Sequence, residues 1–209
     1  MPHPRPHWKT KNFPLLLLAI LATLLPHSHA ADPHPTWRVW LEPMSSHSPL
    51  TQPIDGAERT VLCAGILLPD GLQPLTKSAF QSLDVPWPLF ISQARENADA
   101  DLATLKPRYQ RNRQHVIQYA ELQSPQPIVA SAVLSKQFLP LFQNTLGDKV
   151  LVVIPNRFTA FVFPALANNL NDFAPMILNA LRSTAWPISL EVFEVSSTGF
   201  RSVGRSPEP

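Results

Sequence analysis

The most regular pattern of apolar positions lies near the C-terminus, between Lys149 and Arg205. It opens with five consecutive apolar residues at 150–154, a run that is typical of a strand buried on both faces. Residues 159–163 return as a second strand, with Phe161 and Phe163 on one face. Pro155-Asn156 between the two runs fits the central positions of a β-turn. The pattern therefore predicts a β-hairpin at the core of the fold.

A helical stripe follows this hairpin, because apolar residues recur there every three or four positions. The helix is predicted to begin at an N-cap, Asp172, and to end before Trp186-Pro187. The stripe consists of Phe173, Met176, Ile177, Ala180, Leu181 and Thr184. Residues 188–192 then alternate as the next strand, and residues 200–204 form a short last strand.

The apolar strand that runs into Pro155, Asn156 and Arg157 resembles a feature of uncharacterised bacterial proteins of unknown function. In those proteins an apolar strand similarly runs into Pro, then Asn or Asp, then Arg. The resemblance covers only the C-terminal part of the chain and implies no activity. The order of elements also resembles the small α+β chaperones of bacterial secretion systems, which is an analogy of fold alone.

The chain before Lys149 changes several times between the periods of strands and helices. The pattern predicts, in order, strands at 37–41 and 60–68, helices at 76–83 and 84–106, strands at 116–122 and 128–134, and a helix at 137–146. The basic run at 108–115 is interpreted as a solvated connector; the alternative is contact with an anionic surface.

Two nine-residue windows indicate an internal repeat. Phe138-x-Pro-Leu-Phe-x-Asn-x-Leu146 matches Phe173-x-Pro-Met-Ile-x-Asn-x-Leu181, and each window follows two predicted strands. If the repeat is real, the chain contains two strand-strand-helix units and a closing hairpin. We therefore predict a single α+β domain, with helices packed on a mostly antiparallel sheet.

The N-terminal segment predicts export. Lys9 and Lys11 precede an apolar run at 13–25, and Ser28 and Ala30 are small residues at the positions that a signal peptidase reads. We expect residues 1–30 to be a signal peptide and the protein to be periplasmic or secreted; the alternative is an uncleaved anchor. Since the run is shorter than the ~20 residues of a membrane span, no span is expected after cleavage.

Proline usage suggests the remaining boundaries. The chain has 24 prolines, many of them before residue 54. We interpret residues 31–57 as a Pro-rich extended lead-in, 58–205 as the α+β domain and 206–209 as a disordered tail. The single cysteine, Cys63, lies in an apolar strand and is predicted to be a buried structural thiol.

The common catalytic patterns are missing from the sequence. Only His34, His47 and His115 follow the signal segment, and their spacing is not that of metal ligands. No Gly-x-Ser-x-Gly motif and no glycine-rich phosphate loop occurs. The formal net charge is only +2. We therefore expect no catalytic residues, no cofactor, no metal and no nucleic-acid partner.

The candidate partner-binding residues are Arg157, Asn156 and Phe158. A guanidinium in a turn at a sheet end is suited to binding a carboxylate of a partner, and the alternative is a structural role within the loop. We predict a non-catalytic binding or accessory module of the cell envelope, which contacts a protein through a sheet edge or the Pro155–Arg157 turn. The alternative is an enzyme of unrecognised type near Arg157 and Glu191 or Glu194, two glutamates otherwise interpreted as charges on the sheet surface.

Overall fold

A computed structural model describes residues 36–166 and 170–206. The predicted signal peptide at 1–30 lies outside the described residues. The strands are β1 (Trp37–Pro43), β2 (Thr51–Pro53), β3 (Thr60–Leu68), β4 (Gly71–Pro74), β5 (Arg108–Arg111), β6 (Ile117–Gln123), β7 (Lys149–Asn156), β8 (Thr159–Pro164), β9 (Glu191–Ser196) and β10 (Gly199–Arg205). The helices are α1 (Lys77–Gln81), α2 (Trp87–Thr104), α3 (Val129–Ala132), α4 (Phe138–Leu146) and α5 (Ala174–Arg182).

The described strands form two antiparallel sheets. In the first, β3 lies between β1 and β2 and also pairs with β4. The second has six strands in the order β10-β9-β7-β8-β6-β5. Helices pack against both sheets, so the α+β prediction is confirmed, although the strands are divided between two sheets rather than gathered in one. Each helix in the described part of the chain is too short or too polar to span a bilayer.

Strand β7 lies at the centre of the six-stranded sheet, as its apolar run predicts. Val150, Val152 and Ile154 belong to the main core, on the face that α4 covers. Val153 points into a second cluster on the opposite face, where α5 packs. Both faces of the strand are therefore buried. This explains why its residues are consecutively apolar and do not alternate between apolar and polar. Each such valine contributes about 1.5–3 kcal/mol of transfer free energy.

Helix α5 covers one face of this sheet with the predicted stripe. Phe173, Met176, Ala180 and Leu181 pack around the buried side chain of Ile177. The helix begins at Ala174, after a 3-10 turn at Leu170–Phe173. Asp172 therefore lies in that turn and is not the N-cap, which was the predicted role.

The two strand-strand-helix units and the closing hairpin are present, but the first unit has different strands from those predicted. Its hairpin is β5 with β6, so part of the basic run at 108–115 is a strand rather than a connector. The predicted strand at 128–134 is instead α3, and all residues of α3 are buried. A short apolar run that is buried on every side has no polar face, so its period cannot separate strand from helix.

Within the lead-in predicted at 31–57, the described residues from 36 onward are part of the folded domain rather than loosely packed. Strand β1 pairs with β3 from Trp37 to Pro43, and Trp37 and Val39 pack against α2. Prolines end β1 and β2, where a missing N–H does not interrupt a ladder. At the other end, Ser206 is buried and donates its N–H to the Leu190 carbonyl at 2.8 Å, so order extends into the predicted tail.

A buried ion pair joins the first sheet to two helices. Arg38 of β1 donates to both carboxylate oxygens of Asp101 of α2, at 2.7 and 2.9 Å. Ser131 of α3 donates to the same carboxylate at 2.9 Å. Because the charges are paired and hydrogen-bonded, this contact fixes the relative positions of three elements without leaving a buried group unsatisfied.

Candidate binding groove at Arg157

The turn between β7 and β8 differs from the predicted one. Its central residues are Arg157 and Phe158, while Pro155 and Asn156 remain within β7. The strand register shifts between Val153 and Asn156, and proline is tolerated at such an irregularity because no ladder bond is required there. The Asn156 side-chain oxygen accepts the Phe158 N–H at 2.8 Å, and this Asx turn moves the reversal of the chain two residues onward.

Asn156 is a structural residue. Its side chain is 2% exposed, and its amide nitrogen donates to the Ala180 carbonyl in α5 at 2.7 Å. Both the oxygen and the nitrogen of the side-chain amide are therefore engaged in hydrogen bonds within the chain. Both ends of the amide hold the turn against the last helix, so the contacts within the chain give Asn156 a structural role, and contact of Asn156 with a partner stays a prediction.

Arg157 is also buried, at 5% exposure. Its Nη2 donates to both carboxylate oxygens of Glu42, at 2.9 and 2.8 Å. Glu42 lies in β1 and accepts a further hydrogen bond of 2.6 Å from Trp40 Nε1. The carboxylate that Arg157 was predicted to bind on a partner is thus supplied by the chain itself. The pair connects the two sheets across 115 positions of sequence.

Part of the guanidinium remains available. Nε and Nη1 of Arg157 donate to no group among the described residues. Among the described residues, the polar side-chain atoms that are both buried and without a hydrogen-bond partner are Glu191 Oε2 and Ser206 Oγ. Since Nε and Nη1 of Arg157 have no partner and are not among these buried atoms, they keep access to solvent. The ring of Trp186 lies 4.5 Å from Arg157 Cζ, within the range of a cation–π contact. Arg157 is thereby fixed in place with two donors unused.

Arg157 is one of the residues that line a groove of about 580 Å³. The groove is bordered by the β3–β4 hairpin, the loop at 125–127, the Arg157-Phe158 turn and Trp186. Phe158 is half-buried in the wall, whereas 52% of Trp186 is exposed. The lining residues are Leu67, Leu68, Pro69, Asp70, Gly71, Leu72, Pro125, Gln126, Pro127, Arg157, Phe158 and Trp186. The volume is within the range of small-ligand sites.

The two glutamates of the enzyme alternative do not join Arg157. Glu194 accepts from Lys149 at 3.1 Å and from Arg201 at 3.0 Å, and these hydrogen bonds lower its pKa. Glu191 is 2% exposed, so its interpretation as a surface charge is wrong. The reason is that the segment before β3 covers β9.

Glu191 instead holds that covering segment in place. Its Oε1 accepts the backbone N–H groups of Glu58 and Arg59 at 2.7 and 3.2 Å. It contributes to a second groove, of about 660 Å³, on which Met44 and Leu181 also lie. Its Oε2 has no hydrogen-bond partner but is shielded from solvent. We therefore regard the groove at Arg157, whose donors are accessible, as the candidate site.

Sequence reasoning missed most of the residues that complete this site. Glu42 and Trp40 were not singled out, although they are two positions apart on β1 and so share a face of the strand. A carboxylate on a buried strand is costly unless a cation pairs with it, so a basic side chain from another part of the chain is expected beside Glu42. Nothing in the local pattern identifies Arg157 as that cation, because the contact depends on how the two sheets pack.

No known protein family, curated protein or solved structure matches this chain. The resemblance of the C-terminal part to uncharacterised bacterial proteins therefore stays a prediction. Within residues 36–166 and 170–206, no three His, Cys, Asp or Glu side chains are grouped as metal ligands would be.

Proposed function

We propose that this protein is an exported, non-catalytic binding module of the bacterial cell envelope that holds a protein partner in the groove at Arg157. The supporting observation is the guanidinium itself. Arg157 is fixed by Glu42 through Nη2, yet Nε and Nη1 are unused beside an apolar groove. A fixed donor pair beside apolar walls is suited to orienting a ligand that contributes acceptors and apolar surface.

The chemistry of the lining favours binding over catalysis. The residues of the groove include one carboxylate, Asp70, and no hydroxyl, thiol, imidazole or amine side chain. General acid–base and nucleophilic catalysis both depend on such groups placed in hydrogen-bond reach of one another. Arg157 is in addition neutralised by Glu42 at 2.8 Å.

The groove is also a better candidate than the two edges of the six-stranded sheet. At the β10 edge, Ser202 donates its N–H to the Asp55 carbonyl at 2.8 Å, so the 55–56 turn occupies part of the edge. The β5 edge is short and carries Arg108 and Arg111, and charged side chains on an edge oppose strand addition. Trp186, by contrast, offers an exposed aromatic surface beside unused donors.

The export part of the proposal is supported by the pattern of residues 1–30 and has its own test. Cell fractionation followed by N-terminal sequencing is expected to recover the protein outside the cytoplasm, beginning at Ala31. Recovery of the chain with residues 1–30 intact in the membrane fraction would favour the anchor, and recovery from the cytoplasm would refute export.

Binding in the groove is tested by site-specific photocrosslinking in the native host. A benzophenone amino acid placed at Phe158, in the groove wall, is expected to give a defined adduct with one protein. The matched control carries the same amino acid at Val116, which is 59% exposed and does not line the groove. Absence of an adduct at Phe158, or the same adducts from both positions, would refute the groove as the binding site.

A further inference from the structure

We infer that the groove at Arg157 takes a proline-rich segment in the polyproline II conformation, with a basic residue placed next to Asp70. This inference rests on the proposed binding function and specifies the partner's chemistry. Three features of the groove carry it: the shortage of backbone donors in its walls, the two unused donors of Arg157, and the charge that remains after Arg157 is paired.

The walls are poor in backbone donors. Pro69, Pro125 and Pro127 have no N–H, and they occupy two sides of the groove. The β3–β4 hairpin is already paired internally, from Gly65 to Pro74. An added β-strand depends on a ladder of main-chain hydrogen bonds, which these walls do not provide. Recognition must therefore use side chains, namely the Trp186 and Phe158 rings and the Arg157 guanidinium.

A polyproline II segment complements such walls. It makes no internal hydrogen bonds, so its carbonyls are free to accept from Arg157 Nε and Nη1. Its prolines have no N–H to leave unsatisfied in an apolar groove, whereas each unpaired N–H of another segment would be costly. Proline rings pack on aromatic rings in known grooves of this kind, and the exposed face of Trp186 provides that surface.

The charge that remains in the groove lining determines which kind of side chain is favoured next to the prolines of the bound segment. Arg157 and Glu42 cancel at 2.8 Å, so Asp70 supplies the net charge of the lining. Asp70 is exposed at the rim, in the β3–β4 turn. A neutral carbonyl is therefore a better partner for Arg157 than a carboxylate, and a basic side chain is favoured over an acidic one beside Asp70.

The test uses the purified mature protein and fluorescently labelled peptides. The probe is an oligoproline of about eight residues ending in arginine, which spans about 25 Å in this conformation. One control peptide ends in glutamate, and another replaces the prolines with glycine and serine but keeps the arginine. Fluorescence anisotropy is expected to give saturable binding of the arginine-ended oligoproline, about threefold weaker binding of the glutamate-ended one, and none of the flexible peptide.

Two variants locate the contact. Trp186→Ala is expected to weaken binding at least about tenfold, as loss of a central aromatic contact does, while Leu89→Ala, at another exposed apolar residue, leaves binding unchanged. Asp70→Asn is expected to bring the two oligoprolines to equal affinity, whereas Glu96→Gln, at an exposed carboxylate of α2, keeps their difference. Denaturant unfolding of each variant verifies that it is folded.

Tighter binding of the glutamate-ended peptide, binding that Trp186→Ala does not alter, or binding of none of the peptides would overturn the inference. The crosslinking at Phe158 decides separately whether the groove holds a partner. A Phe158 adduct without oligoproline binding would overturn only the partner's chemistry, whereas absence of the adduct would overturn the proposed function.

Discussion

Trp186 and Arg157 form a cation–π pair, with the indole centroid 4.5 Å from the guanidinium carbon. The same guanidinium binds Glu42 of the other sheet at 2.8 Å. An exposed aromatic wall of the groove is therefore attached to a buried ion pair that connects the two sheets. Changes at Arg157 are expected to affect both stability and binding, whereas changes at Asp70 or Phe158 are expected to affect binding alone.

Arg157→Ala is expected to lower the free energy of unfolding by about 3–5 kcal/mol, because it leaves the Glu42 carboxylate buried without a cation. Urea denaturation measures this change. Arg182→Ala, at an exposed arginine of α5 with no hydrogen bond among the described residues, is the control and is expected to change stability by less than about 0.5 kcal/mol.

A double-mutant cycle separates the pair from the packing of each side chain. Glu42→Gln combined with Arg157→Met is expected to cost less than the sum of the single changes, since the second substitution removes the group that the first leaves unpaired. If the changes in unfolding free energy of the two single variants add up to the change in the double variant, Glu42 and Arg157 are not coupled.

Gly65→Ala is expected to destabilise the first sheet by about 1–3 kcal/mol or more. A Cβ at this position would lie 2.2 Å from the Gln73 carbonyl oxygen and 2.6 Å from the Trp40 ring. The Gln73 oxygen belongs to the backbone of β4 and cannot move aside without disturbing the hairpin. Gln73→Ala, which shortens an exposed side chain of the same strand, is the control; equal melting temperatures for both variants would contradict the prediction.

Cys63 is expected to be inert in the folded protein. Burial raises the pKa of its thiol from the ordinary 9.0 to about 12, and the thiol is fully buried. Above pH 9 the unfolded chain loses this proton while the folded chain keeps it. The contribution to stability therefore falls by about 1.4 kcal/mol per pH unit as the pH rises from 9 toward 12.

Two measurements check this expectation. A thiol reagent should label Cys63 only in denaturant, at the rate of unfolding. Comparison with Cys63→Ala between pH 9 and 11 should show a shallower loss of stability in the variant. Rapid labelling of the native protein, or parallel pH profiles, would contradict burial of the thiol.

Glu194 is expected to make a small contribution that depends on pH and salt. Hydrogen bonds from Lys149 and then Arg201 lower its pKa, so the contribution is complete above the unfolded pKa and is lost as the pH falls through the folded one. Both cations are about half exposed, at 49% and 54% of the side chain, so Glu194→Gln should cost only about 0–1 kcal/mol at neutral pH. The difference from the unmodified protein should shrink in high salt and at pH 3; a difference that persists there would refute an electrostatic origin.

Local pattern is sufficient to identify the elements whose apolar positions have a clear period. The run at 150–154 and the stripe of α5 were predicted because a strand buried on both faces and a helix buried on one leave distinct patterns. Strands β1 and β3 were recognised for the same reason. The α+β class follows from the order of these elements.

Other features depend on tertiary packing, because local pattern leaves them undetermined. Residues 129–132 form a helix that is buried on all sides, so their apolar run lacks the polar face that would distinguish a helix from a strand. The segment interpreted as a lead-in is folded from residue 36 onward because β1 and β2 pair with β3 and β1 packs against α2. The role of Arg157 depends on Glu42, 115 positions away. Period and propensity act over a few residues, whereas the pairing of a buried charge and the formation of a groove depend on segments that only packing brings together.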